Sequence, residues 1–210
     1  MDSPTSGGLP GRAVHAVTGV VFCGGKSSRM GEDKALLRGE DGRSMLERAC
    51  ATLRPLVGEV WLACGPRARY GELGLTLVLD RREDGGPLAG LEAVLERATT
   101  RWVAVLACDM PRVATAHVQR LLEHAHEADL DACWMETEAG AEPLCAVYSR
   151  ACLEPVRAAL DAGERRMIAF HARPSAGRAL RLAGLRPRED GLTQNLNTPS
   201  DWKAFLEGTR

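Results

Sequence analysis

Between Cys23 and Lys34 the chain reads Cys-Gly-Gly-Lys-Ser-Ser-Arg-Met-Gly-Glu-Asp-Lys, and this spacing of glycines and cations suits the handling of phosphate. Glycines let backbone N–H groups approach an anion without Cβ interference, and Lys26, Arg29 and Lys34 could neutralise it. The stretch follows an apolar run (Val17, Val20, Val21, Phe22), so it reads as a loop into which a buried strand empties. Two acids stand in comparable places. Asp80 ends the run Leu75–Leu79, and Asp109 follows Trp102–Ala107 and Cys108. A strand-end acid can ligate Mg²⁺ at phosphates. That reading applies to Asp109, which could instead cap the next helix; Asp80 could instead form a turn before Arg81-Arg82.

Counting excludes the two commonest phosphate loops. A P-loop requires G-x-x-x-x-G-K-[ST]. Gly25-Lys26-Ser27 supplies its tail, but the first glycine would fall at Val20; counted from Gly19 to Gly24, Gly25 stands where lysine is needed. The dinucleotide fingerprint G-x-G-x-x-G is absent as well, because Gly24 and Gly25 are adjacent and none follows at the required distance.

The elements that must position these residues alternate. Val14–Phe22, Glu59–Cys64, Leu75–Leu79 and Trp102–Ala107 read as apolar strands. Ser44 to Leu53 reads as a helix with a Ser44/Glu47 capping box. Gly85 to about Ala98, with Pro87 in its first turn, and Thr115–Ala125 read as further helices. Later come strands near Ala132–Met135 and Leu144–Tyr148, helices over Ala151–Ala162 and Arg165–His171, and a strand near Ala179–Leu182. A last helix starts at about Asn197, with Thr198 as N-cap and Pro199 at N1. Alternating strands and helices with uniformly apolar early strands predict an α/β fold. The expectation is a single Rossmann-like three-layer domain over 14–210, its sheet mainly parallel with helices on both faces. Residues 1–13, rich in Gly, Pro and Ser, are expected to form a flexible tail. Ligands in such sheets sit beyond the carboxyl ends of the strands, where Cys23–Lys34, Asp80 and Asp109 would face one crevice.

Bulk properties narrow the partners. With 210 residues, 27 Lys+Arg against 28 Asp+Glu and a net charge of −1, no global field favours nucleic acid or an anionic membrane. Seven scattered cysteines without a CxxC pair argue against a zinc or thioredoxin motif and read as small buried hydrophobes in a reducing compartment. No run has the length of a membrane span or the pattern of a signal peptide, so the expected location is the cytoplasm.

Phe22 to Lys34 resembles the signature of the α/β nucleotidyltransferases, and within them the loop L-A-G-G-x-S-x-R-M-G-x-D-K of the molybdenum cofactor guanylyltransferases. Asp80 with Gly86-Pro-Leu-Ala-Gly90, Cys108-Asp-Met-Pro111 and Asn195-Leu-Asn-Thr-Pro199 resemble further segments of that family in the same order, as does Ala162–Arg166. Phe22-Cys23 stands where the family has leucine-alanine. Ala63 stands near where it often has a nucleotide-touching asparagine. The resemblance implies a nucleotide-diphospho-sugar transferase type of fold and transfer of GMP from GTP to molybdenum-molybdopterin with release of pyrophosphate, with Mg²⁺ as cofactor. It implies Arg29, Lys34 and Asp109 as catalytic, Asp109 also as the metal ligand. Phe22, Cys23, Gly24, Gly25, Lys34, Asp80, Gly86, Gly90 and Asp109 would bind the nucleotide, and Asn195 and Asn197 the second substrate. Other cofactor-biosynthesis proteins and recipient molybdoenzymes are the implied protein partners. The alternatives are the cytidylyltransferase of the same cofactor and a non-catalytic GTP-binding or cofactor-carrier module.

Overall fold

A computed structural model describes residues 16–24, 33–39, 41–138, 140–188, 192–193, 196 and 199–207. The tail expected over 1–13, the N-cap Thr198, and Gly25, Arg29, Asn195 and Asn197 lie outside these residues. The chain runs β1 (Val17–Phe22), α1 (Met45–Leu53), β2 (Glu59–Ala63), β3 (Thr76–Val78), α2 (Gly86–Arg97), β4 (Trp102–Ala107), α3 (Thr115–Glu127), β5 (Ala132–Thr137), β6 (Gly140–Ser149), α4 (Leu153–Asp161), β7 (Leu182–Leu185) and α5 (Pro199–Glu207).

The described strands form one sheet in the order β3-β2-β1-β4-β6-β5-β7. Strand β6 runs antiparallel to β4 and β5, and every other pairing is parallel. Central β1 and β4 are buried along their whole length, as strands covered on both faces must be. One face packs against α1 and α3 through Leu46, Leu53, Val118 and Leu121. The other packs against α2 and α4 through Leu88, Leu91, Val156 and Leu160. The expected three layers with a mainly parallel sheet are thus present. A small third cluster, Met45, Leu196, Trp202 and Phe205, fastens α5 to the start of α1.

Local chemistry sets the boundaries. At the start of α1, Ser44 Oγ accepts from the Glu47 N–H at 3.1 Å, and Glu47 Oε2 accepts from the Ser44 N–H at 2.7 Å. That is the capping box expected there. Two expectations fail. Arg165–His171 is a run of turns, not a helix. Gly163, at φ +81°, ends the preceding helix, and the later bonds span three residues, from Ala169 N–H to Arg166 C=O and His171 N–H to Ile168 C=O. Met167 and Phe170, three apart, are both buried on the α2/α4 side, which suits three residues per turn. The strand expected at Ala179–Leu182 begins instead at Leu182. Arg178 grips Asp131 with two bonds of 2.6 and 2.7 Å, and the Arg181 N–H donates to the same carboxylate at 2.8 Å, so this lead-in is tethered outside the ladder.

Candidate active site at the carboxyl edge of the sheet

Parallel β1, β2, β3 and β4 end along one edge, where a cleft of about 780 Å³ opens. Of the residues expected to bind nucleotide, Phe22, Cys23, Gly24, Lys34, Asp80, Gly86, Gly90 and Asp109 all line it. Gly25, Arg29, Asn195 and Asn197 lie outside the described residues.

The end of β1 abuts the end of β2. A Cβ on Gly24 would lie 2.7 Å from the Gly65 nitrogen and 2.8 Å from the Cys64 carbonyl carbon, so glycine is required by backbone contact. The N–H groups of Cys23 and Gly24 both donate to the Ala63 carbonyl, at 3.0 and 3.1 Å. These two amides extend the sheet and are not aimed at an anion. Beside them the Cys23 and Cys64 sulfurs stand 3.8 Å apart. Their hydrogen bond lowers the Cys64 thiol and raises Cys23, whose burial adds to the rise.

Lys34 and Asp109 come from distant parts of the chain and meet at one residue, Leu196. The Lys34 ammonium donates to the Leu196 carbonyl at 3.4 Å, and the Leu196 N–H donates to the Asp109 carbonyl at 3.0 Å. Leu196 is therefore pinned to both. Burial raises the Asp109 carboxyl above the ordinary range, and the Lys34 charge pulls it partly back. Asp109 is not the cap of the next helix. Helix α3 begins at Thr115, and its first turn is closed by the Ala114 N–H donating to His117 Nδ1 at 2.9 Å. Half-buried Glu142 on β6 is also held up, first by burial and then by the Asp109 charge.

Asp80 faces α2. Burial pushes its carboxyl up to about 6. A Cβ on Gly90 would lie 2.9 Å from the Phe22 ring and 3.3 Å from Asp80 Oδ1, so this glycine admits both side chains to the helix face. Gly86, at φ +61°, turns the chain into α2. Arg82 secures that turn with bonds to Glu92 at 2.8 and 2.9 Å and to Asp161 at 2.6 Å.

Arg69 and Tyr70 carry no sequence signal, yet both hold the end of the glycine loop. The Tyr70 hydroxyl donates to the Asp33 carboxylate, 2.9 and 2.8 Å from its two oxygens, and the Arg69 guanidinium pairs with the same group. They lie in an irregular connection after Gly65-Pro66. The only hint is two cations, Arg67 and Arg69, just past a strand end, and both line the cleft.

Among the described residues no group of three or more His, Cys, Asp or Glu could cage a metal. The half-buried carboxylate of Asp109 is instead of the kind that suits a hard divalent cation, which takes few protein ligands and keeps oxygens from water and substrate. No described helix is long and apolar enough to cross a membrane.

A family model described as a MobA-like NTP transferase domain matches residues 19–176. A probable molybdenum cofactor guanylyltransferase of Pelotomaculum thermopropionicum is 34% identical over 187 residues, 88% of this chain and 89% of that protein. One from Chloroflexus aggregans is 34% identical over 191 residues, 89% and 92% of the two chains. Among solved structures, molybdopterin-guanine dinucleotide biosynthesis protein A from Archaeoglobus fulgidus superposes with a TM-score of 0.74 at 22% identity, covering 91% of this chain and 98% of that one. With a matched domain over most of its length and such relatives, the chain belongs to the MobA-like NTP transferase family, among the molybdenum cofactor guanylyltransferases.

Proposed function

We propose that the chain transfers GMP from GTP to molybdenum-molybdopterin and releases pyrophosphate. A terminal phosphate oxygen of molybdopterin attacks the α-phosphorus of GTP; the new P–O bond forms as the bond to the bridging oxygen breaks, and pyrophosphate leaves with the electron pair. Such transfers need positioning and charge neutralisation more than covalent help. The carrying observation is Leu196, whose carbonyl accepts from Lys34 and whose N–H donates to the Asp109 carbonyl. It supports a single site that joins Lys34, the end of β4 and Leu196.

In this reading the Lys34 ammonium, a compact point charge, binds a phosphate oxygen, and Arg29 takes the departing phosphates with its fork. Asp109 would hold Mg²⁺ together with phosphate oxygens. Bound there, the cation would neutralise charge at the reacting phosphates. Asp80, Gly86 and Gly90 border the nucleoside half of the cleft, and Asn195 and Asn197 receive the second substrate. Turnover of GTP and CTP by the purified protein with molybdenum-molybdopterin tests the reading. Guanine dinucleotide is the expected product; turnover of CTP alone would transfer the assignment to the cytidylyl reaction.

A further inference from the structure

We infer that Arg69 and Tyr70 are positioning residues for Lys34, acting through the carboxylate of Asp33. The inference rests on the nucleotidyl-transfer reading for its kinetic consequence, but its geometry stands apart from that reading. Asp33 immediately precedes Lys34 and opens the short 3₁₀ turn Lys34–Leu36, accepting from the Ala35 N–H at 3.2 Å. Its oxygens also receive the Tyr70 hydroxyl and the Arg69 guanidinium. A carboxylate held by a backbone amide, a phenol and a guanidinium has little rotational freedom, and charge-assisted bonds are the stronger kind. The backbone from which the Lys34 side chain departs is fixed with it. On its far side the Lys34 ammonium reaches the Leu196 carbonyl, so the residue is held at both ends.

A second observation points the same way. Tyr70 has φ 62° and ψ 28°, left-handed backbone that a bulky side chain adopts only under strain. Glycine would sit there without strain. The tyrosine keeps its ring buried, 6% exposed, and aims its hydroxyl at Asp33. Burial first, and the Asp33 bond and charge next, raise the phenol well above its usual range, so it remains a donor across the working pH range. The connection that carries both residues is anchored to the end of β2 by the Cys64 thiol donating to the Arg69 carbonyl at 3.5 Å. The end of β2 thereby fixes the end of the phosphate loop.

The test compares Tyr70→Phe, Arg69→Met and Arg69→Lys with the wild-type chain, alone and combined with Lys34→Ala. Tyr70→Phe retains the buried ring and removes only the donor, so its melting temperature should stay close to wild type. Tyr70→Phe and Arg69→Met should each lower kcat about tenfold, with KM for GTP moving less than about threefold. Arg69→Lys should recover most of the loss. On the Lys34→Ala background, Tyr70→Phe should cost almost nothing more. Full, additive loss on that background would overturn the inference. A second readout needs no turnover: limited acylation of lysines, followed by peptide mass spectrometry. Lys34 should label several-fold faster in Tyr70→Phe and Arg69→Met, while exposed Lys203 is unchanged; equal labelling of Lys34 in all forms would sink the idea. Were the wild type to transfer neither GMP nor CMP, the functional reading would fail and the labelling would still decide this inference.

Discussion

Asp109 is where local energetics and proposed chemistry oppose each other. Burial penalises its charged form, so ionising it costs stability, and metal-free protein should weaken as pH rises through its elevated pKa. Asp109→Asn should therefore raise the melting temperature of metal-free protein and remove the Mg²⁺ dependence of GTP binding. A metal titration identical to wild type would remove it from the metal site. Asp80 gives the same sign with a defined window. Its carboxyl ionises at about 6 in the fold against 3.8 ordinarily, so its contribution to stability falls as pH rises from about 4 to about 6 and then levels. Asp80→Asn should gain at most about 3 kcal/mol near pH 7 and nothing near pH 3. Denaturant melts at the two values check this; an equal gain at both would contradict the burial argument. Gly24→Ala should do the reverse of both, because the added Cβ meets backbone atoms of Cys64 and Gly65 that cannot step aside. A loss of about 1–3 kcal/mol, as in other overpacked sites, is expected, together with loss of turnover.

At the scale of elements, α5 matters more than its peripheral position suggests. Trp202 and Phe205 stack with ring centroids 5.4 Å apart and close over Met45 and Leu196. Leu196 in turn bridges Lys34 and Asp109. Trp202→Ala should cost about 3 kcal/mol locally and lower turnover although Trp202 touches no proposed substrate. Hydrogen exchange is the direct measurement: the Leu196 amide, bonded to Asp109, should lose its protection, and an unchanged rate would mean that α5 does not hold the site. The strands β1, β2 and β4, helix α2 and the Ser44 cap of α1 were legible in the sequence because local pattern alone dictates them. The turns over Arg165–His171 were not, since burial of Met167 and Phe170 selects three residues per turn. Nor was the start of β7, which the Asp131 tether displaces. The same division holds at the site. Asp80 and Asp109 stand out because each interrupts an apolar run, whereas the Asp33–Arg69 pair joins residues 36 apart through a patternless loop.

For the whole molecule, the near-neutral balance of 27 cations and 28 acids means that anionic substrates meet a local site and not a global field. The fold gathers that site at one sheet edge, from the ends of β1, β2, β3 and β4 and from Leu196 near α5. The decisive measurement is release of pyrophosphate by the purified protein with GTP, Mg²⁺ and molybdenum-molybdopterin, with the product identified by mass spectrometry. The guanine dinucleotide and one pyrophosphate per turnover are expected, both requiring all three components. Tight GTP binding without cleavage would contradict the transferase reading and leave a nucleotide-binding module.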